Sequence, residues 1–204
     1  ALGLGMIPVS MVALQPDIGT TFILFSILIL LLFFAQAKLS HLGLLALLAI
    51  VGFILMIMAA PYRAERLTTF LHPELDPAGK GYHINQAFLA IGSGGWMGLG
   101  LGHSQQKFQY LPEVHADSIF AIAAEELGFI MASLFLVLLI LIAARGLQVA
   151  KNSPDEFGRL LVGGIVGWFV VQSLLNIGAM VGLLPLTGVP LPFVSHGGSA
   201  LMIG

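Results

Sequence analysis

Long runs of uncharged, apolar residues constrain this chain more than any other feature. Each approaches the ~20 residues that an α-helix needs to cross the hydrocarbon core of a bilayer. The runs cover residues 18–37, 42–60, 127–144 and 160–181. Only 9% of the residues are charged, whereas about a quarter are charged in a typical soluble domain. The sequence therefore predicts an all-α fold, a polytopic bundle of transmembrane helices.

The two ends of the chain are apolar as well. Residues 1–14 and 191–204 resemble further spans that the ends of the chain interrupt. We therefore expect a fragment of a longer protein, with about four complete spans and two partial ones.

The cations of the short connections indicate how the helices are oriented. Lys and Arg occur in residues 36–41 and 145–159, and the turns at 15–19 and 184–192 contain none. Because cytoplasmic loops are enriched in Lys and Arg, the first pair is expected on the cytoplasmic side. Alternation then places the long segment 61–118 outside the cytoplasm.

This outer segment changes character along its length. Residues 61–79 are charged and contain prolines, which predicts an interfacial turn. Residues 82–101 are apolar but repeatedly interrupted by glycine, so a straight span is not expected there. We predict a re-entrant or interface-lying segment. Close helix packing through small residues is the alternative.

Several motifs of common enzyme classes are absent from the sequence. The glycines do not follow the G-x-G-x-x-G or P-loop spacings, and neither G-x-S-x-G nor H-E-x-x-H occurs. The chain has no cysteine, which excludes disulfides and thiolate metal sites within it. A net charge of -2, with no basic block among aromatic residues, argues against binding to nucleic acid.

Ionisable residues cluster where the outer segment enters the next span. They are Glu113, His115, Asp117, Glu125 and Glu126. Such groups are costly near a membrane interior and indicate a functional site by default. On a helix that begins near Asp117, that residue and Glu125 share one side but lie ~12 Å apart, too far for a dyad that shares a proton. We expect one working carboxylate, with a glutamate pair below it that either anchors the helix or takes a direct part.

Four stretches of the chain resemble, in order and spacing, the SEDS family, to which FtsW and RodA belong. They are LQPDIGT at 14–20, GYHINQAFLAIGSGG at 81–95, QKFQYLPEVHADSIFAIAAEELG at 106–128 and NIGAMVGLLPLTGVPLPFVSHGGSAL at 176–201. The resemblance implies one SEDS-type membrane domain over residues 1–204, the second half of a larger bundle from part of the fifth span into the tenth. The stretch SQQKFQYLPE is slightly closer to FtsW, the branch that serves division.

Members of that family polymerise lipid II into glycan strands on the outer face of the cytoplasmic membrane. The resemblance implies a peptidoglycan glycosyltransferase in the bacterial inner membrane, active in cell division or elongation. It also implies a partner, a class B penicillin-binding protein that acts as transpeptidase in the division or elongation complex. A lipid II flippase and a non-catalytic scaffold for the transpeptidase are the alternatives. A flippase would spread charges along a path through the bundle, but here the acidic residues crowd at its outer mouth.

The resemblance also assigns a catalytic residue. The family's essential acidic residue lies in the pattern Pro-Glu-x-His-Thr-Asp-Phe-Ile-Phe, which Asp117 matches. A carboxylate there can act as the general base that takes the proton of the acceptor 4-hydroxyl, the role that we expect. It could instead hold a divalent cation, Mg²⁺ or Mn²⁺, against the pyrophosphate. No metal-ligating set of side chains is predicted otherwise.

Further candidates surround this carboxylate. Lys107 could contact the leaving pyrophosphate or be a solvated lysine, and His115 could orient Asp117 or cap the start of its helix. The remaining candidates are Glu113 and Ser195 for substrate binding, and Glu125, Glu126, Gly197 and Gly198 as support. The chain departs from the family pattern at Ala116 and Ser118, which replace threonine and an aromatic residue, and at His196, which replaces tyrosine.

Overall fold

The computed structural model describes residues 2–15, 17–58, 61–72, 76, 79–106 and 117–195, and the regular secondary structure in these ranges is α-helical. Its helices are α1 (Leu2–Leu14), α2 (Ile18–Phe34), α3 (Leu39–Met58), α4 (Pro61–Leu71), α5 (Lys80–Ser93), α6 (Ile119–Lys151) and α7 (Glu156–Met180). No strand occurs over these ranges. The predicted all-α class is confirmed.

Two of the helices are long and apolar enough to cross a membrane. They are α6, with 33 residues, and α7, with 25. The predicted spans 127–144 and 160–181 fall almost wholly within them. The other two predicted spans coincide with α2, which has 17 residues, and α3, which has 20. The number of membrane crossings stays a prediction.

One compact unit combines Ala1–Ala60 with Ile140–Val171. Within it α2 packs against both α1 and α3. Asp17 caps α2, since its carboxylate accepts from the backbone amide of Thr20 at 3.0 Å. Where α2 ends, the guanidinium of Arg159 donates to the carbonyl of Phe34 at 3.1 Å and to Glu156 at 2.7 Å. This cation therefore satisfies a carbonyl that the end of the helix leaves without an intrahelical partner.

A second compact unit combines Pro61–Leu139 with Gln172–Gly204 and contains the candidate site. Its core joins residues of α5, α6 and α7 with one residue of the segment that follows α7. The buried members are Ala87, Ala90, Phe120, Ala121, Ile122, Ala179, Met180 and Leu191. Small alanines at the centre let the helices approach closely, as is common in membrane bundles.

The predicted interfacial turn at residues 61–79 is wrong for its first half, which forms α4. A proline at the first helical position costs no hydrogen bond, because the amide that it lacks would have no partner in the helix. Good helix formers such as Arg66 and Leu67 then continue the turn. Pro61 therefore begins this helix rather than prevents it.

Candidate functional site

Asp117 lies immediately before α6 and is 7% exposed. The hydroxyl of Ser118 donates to its Oδ1 atom at 3.2 Å. The carbonyl of Ser118 accepts from the amides of Ala121 and Ile122, so the first turn of α6 forms directly beside the carboxylate. The positive end of the helix dipole favours a negative charge at this position. The local fold thus stabilises an ionised carboxylate close to the protein interior.

His83 of α5 extends this arrangement. Its Nε2 atom lies 2.6 Å from the hydroxyl oxygen of Ser118, and both side chains are buried. His83 was not predicted from the sequence. A histidine within the apolar stretch 82–101 was the available signal, but only the fold brings it to Ser118, 35 residues later.

Asn176 of α7 holds the backbone on the other side of Asp117. Its Nδ2 group donates to the carbonyl of Asp117 and to that of Val189, both at 2.8 Å. One turn earlier on the same helix, Gln172 donates to the carbonyl of Pro190 at 2.8 Å. These amides tie the segment after α7 to the helix next to Asp117. Both residues were missed, although amides in an apolar run are a usable signal.

Ser195 closes a turn at the end of this segment. Its hydroxyl accepts from the amide of Leu191 at 2.8 Å, its own amide donates to the carbonyl of Leu191 at 3.0 Å, and its side chain is 2% exposed. The neighbouring candidates Gly197 and Gly198 lie outside the described residues, as do Lys107, Glu113 and His115.

Glu125, two turns further along α6, has a different set of partners. It is 1% exposed, and its Oε2 atom accepts from the hydroxyl of Ser104. Its Oε1 atom accepts from the amide of Gln105 at 3.1 Å, and the amide of Ser104 donates to Glu126 at 3.4 Å. The glutamate pair therefore holds the end of the stretch between α5 and residue 106, which we call the glycine-rich segment (residues 94–105).

The glycine-rich segment lies against a break in α6. Gly128 has φ 79° and ψ 178°, which interrupts the helix. A regular helix would pair the amides of residues 129 and 130 with the carbonyls of residues 125 and 126. These four groups instead bond to the segment: Leu99 N to Glu125 O (3.0 Å), Gly100 N to Glu126 O (3.0 Å), Phe129 N to Gly95 O (2.9 Å) and Ile130 N to Trp96 O (3.3 Å).

Glycine is required where the two backbones meet. A Cβ atom at Gly94, Gly98 or Gly128 would collide with main-chain atoms of the opposite segment. The indole of Trp96 packs edge-on against Phe129, with ring centroids 5.4 Å apart. The glycines thus allow close packing, as one of the two sequence interpretations proposed, but between a loop and a broken helix rather than between two helices.

The described residues contain no group of three or more His, Asp and Glu side chains that could hold a metal ion. Within this part of the chain, a cation at Asp117 would depend on that single carboxylate and on oxygens supplied by the substrate. Mg²⁺ is commonly bound in this way.

Comparisons with known proteins agree on one family. A model of the cell cycle protein family FtsW/RodA/SpoVE matches residues 1–204. Stage V sporulation protein E of Bacillus subtilis is 42% identical over 203 residues, which are 100% of this chain and 56% of that protein. The probable peptidoglycan glycosyltransferase FtsW of Aliivibrio salmonicida is 44% identical over 193 residues, 93% of this chain and 48% of that protein. The chain thus spans about half the length of these curated relatives.

Solved structures give the same result. A chain from a peptidoglycan synthase complex, studied for its coordination of polymerization and crosslinking, superposes with a TM-score of 0.72 at 28% identity, over 98% of this chain and 55% of that one. A mutant of the rod shape determining protein RodA of Thermus thermophilus gives a TM-score of 0.62 at 26% identity, over 98% and 50% of the two chains.

Proposed function

This chain belongs to the FtsW/RodA/SpoVE family of cell cycle proteins, and we propose that the intact protein is a peptidoglycan glycosyltransferase that polymerises lipid II. It is a membrane protein, with apolar helices of the kind that its family uses. One observation carries the proposal. Asp117 matches the family's essential acidic position and lies buried at the positive end of α6, hydrogen-bonded to Ser118.

Asp117 acts as the general base in this proposal. The 4-hydroxyl of the acceptor sugar loses its proton to the carboxylate as its oxygen attacks the anomeric carbon of the donor, and the lipid pyrophosphate leaves. A base must be ionised and fixed in direction before the reaction. The helix dipole favours the ionised form, and the hydrogen bond from Ser118 fixes one carboxylate oxygen.

Substrate binding is assigned to other residues of the same region. Lys107 contacts the pyrophosphate of the leaving group, as a point charge suited to phosphate. Glu113 and His115 contribute to binding of the sugar and peptide groups, and Ser195 supports them by closing the turn after α7. Mg²⁺ or Mn²⁺ bound to Asp117 and to the pyrophosphate would supply positive charge there.

The proposal includes a location and a partner. The protein lies in the bacterial inner membrane with residues 61–118 outside the cytoplasm, and it works with a class B penicillin-binding protein. Relatives named FtsW support the division branch. Orientation can be tested with single cysteines, since this chain has none. A membrane-impermeant maleimide added to intact spheroplasts should label His103→Cys and spare Asn152→Cys, and the reverse pattern contradicts the orientation.

The activity is tested with the intact protein that contains this chain, purified with its candidate transpeptidase. Fluorescent lipid II is supplied, and glycan polymer is resolved on a gel for wild type and for Asp117→Asn. Removing a general base costs about 10²- to 10⁴-fold, so the variant should make no detectable polymer while remaining folded.

Asp155→Asn is the matched control. Asp155 caps the start of α7 by accepting from the amide of Gly158 at 2.7 Å, and asparagine can keep that bond. This variant should polymerise like wild type. Undiminished polymer from Asp117→Asn refutes the assignment of the base, and failure of the wild-type complex to make polymer favours the flippase or the scaffold.

A further inference from the structure

We propose that His83 is a positioning residue for Asp117 and acts through the hydroxyl of Ser118. This inference rests on the proposed function, because it assigns a role in the same reaction. The three side chains form a continuous chain of hydrogen bonds, 2.6 Å from His83 Nε2 to Ser118 Oγ and 3.2 Å from Ser118 Oγ to Asp117 Oδ1.

The single proton of the Ser118 hydroxyl fixes the direction of both hydrogen bonds. A serine hydroxyl has one proton, and when Asp117 is ionised, as a general base must be, that proton is donated to the carboxylate, which can only accept. The hydroxyl oxygen must then accept from His83, so Nε2 of the imidazole carries a proton. Both hydrogen bonds therefore point towards the carboxylate. A polarised chain of this kind favours the ionised form of Asp117 and a single orientation of its Oδ1 atom.

Burial strengthens the hydrogen bonds that run from His83 through Ser118 to Asp117. Ser118 is 0% exposed and His83 is 9% exposed, so little bulk water reaches either group. A hydrogen bond in such surroundings is stronger than the same bond in water. His83 directs the hydroxyl of Ser118 by occupying one of its acceptor positions. Without this imidazole, the serine hydroxyl could rotate and Asp117 would lose a fixed donor.

Ser118 is a specific feature of this chain's site. Ser118 stands where the family pattern has an aromatic residue, which has no hydroxyl to connect a histidine to the carboxylate. A purely structural contact between α5 and α6 is the rival explanation for the pair. The two explanations differ in kcat, which a contact that only joins the two helices would leave unchanged in the folded protein.

The experiment measures kcat and KM of lipid II polymerisation for His83→Leu and His83→Gln in the intact protein with its transpeptidase. Leucine cannot donate to Ser118, and kcat should fall roughly tenfold to hundredfold with little change in KM, as expected for one lost hydrogen bond that supports a charged base. Glutamine can donate from Nε2 and should restore most of the rate. Equal losses for the two variants, or no loss for leucine, overturn the proposal.

A double-mutant cycle with Ser118→Ala tests whether the effect of His83 on kcat passes through Ser118. If His83 acts through Ser118, the alanine variant loses a similar factor in kcat, and adding His83→Leu causes little further loss. Multiplied losses in the double variant overturn the proposal. Should His83→Leu fail to fold, Ser118→Ala decides alone, since it removes one oxygen from a buried site. Undiminished kcat in that variant also overturns the proposal.

Wild type and Asp117→Asn accompany every assay. A complex in which wild type polymerises, Asp117→Asn does not, and His83→Leu remains fully active overturns the role of His83 and leaves the proposed function intact. A wild-type complex that makes no polymer overturns both.

Discussion

Two buried carboxylates near the start of α6 differ in how they are held. Glu125 is 1% exposed, and its two oxygens accept from Ser104 and Gln105, about twenty residues earlier in the chain. Asp117 is 7% exposed, and its Oδ1 atom accepts from its neighbour Ser118, which is linked to His83. Burial and charge alone therefore do not distinguish a working group from an anchor. The partners differ, because the carboxylate of Glu125 itself bonds to a distant segment, whereas the Oδ1 atom of Asp117 bonds to the adjacent residue.

Among the variants near the glutamates, Gly128→Ala should lower the free energy of unfolding most. The residue has φ 79° and ψ 178°, a conformation that essentially only glycine adopts, and a Cβ would collide with the backbone at Gly98 and Met97. Strain and overpacking together should lower the free energy of unfolding by about 3 kcal/mol or more. Unfolding of the purified protein in mixed micelles, followed by circular dichroism, measures this loss.

Gly92→Ala is the control for that variant. Gly92 lies in α5, and a Cβ there would meet nothing within 4 Å. Alanine also has the higher helix propensity, so stability should stay unchanged or rise slightly. If both glycine variants behave alike, the contact between the glycine-rich segment and α6 does not stabilise the protein, and the comparison with Asp117 fails.

Asn176→Leu tests the region around Asp117. Leucine has a similar size but cannot donate, so the buried carbonyls of Asp117 and Val189 lose their donors. The loss of stability should be about 2 kcal/mol, and polymerisation should fall as well, because the backbone of the base is no longer fixed. Gln172→Leu is the matched variant, since among the described residues the side chain of Gln172 donates to the carbonyl of Pro190 alone. It should lose about 1 kcal/mol with little change in polymerisation. Equal polymerisation by the two variants would show that Asn176 does not support the reaction.

Glu125→Gln, paired with Asp117→Asn, tests the comparison directly. Glutamine keeps the shape of Glu125, but its amide group must face one of the donors that now point at the carboxylate, Ser104 or Gln105. Stability should fall by about 1 to 2 kcal/mol, with polymerisation by the folded protein nearly retained. Asp117→Asn should instead abolish polymerisation and leave the free energy of unfolding nearly unchanged. Loss of polymer in a folded, stable Glu125→Gln variant would mean that the glutamate takes a direct part.

The sequence predicted the helical class because apolar runs near the length of a membrane span have few other folds available. It singled out Asp117 and the glutamates as candidates, since ionisable groups beside such runs are rare. It could not identify His83 and Asn176, which reach the site only through long-range packing, 35 and 59 residues away from their partners.

The glycine-rich segment shows a further limit of the sequence. Its composition indicated that the backbone would be irregular or closely packed, but not which surface it would meet. The segment meets α6 at Gly128, which lies in an otherwise apolar run. This glycine breaks the helix and leaves four backbone groups without helical partners. Hydrogen bonds between backbones depend on conformation and not on side-chain identity, so the sequence carries little trace of them.

Ser195→Ala should have the smallest effect and addresses a residue predicted to bind substrate. Its hydroxyl accepts from the buried amide of Leu191, and its side chain is 2% exposed. Alanine leaves that amide without its acceptor, which should cost about 1 kcal/mol of stability. Because the hydroxyl is occupied by the turn, KM for lipid II should change by less than about threefold, well under the tenfold that one good hydrogen bond supplies.

Ser93→Ala is the control for that effect. The hydroxyl of Ser93 bonds only within its own helix, to the carbonyl of Ala90 at 2.9 Å. Replacing it with alanine should leave both stability and KM nearly unchanged, since such back-bonding does not stabilise a helix. A tenfold rise in KM for Ser195→Ala, at unchanged stability, would place its hydroxyl against the substrate. The turn after α7 would then belong with Asp117, as part of the reacting surface rather than its support.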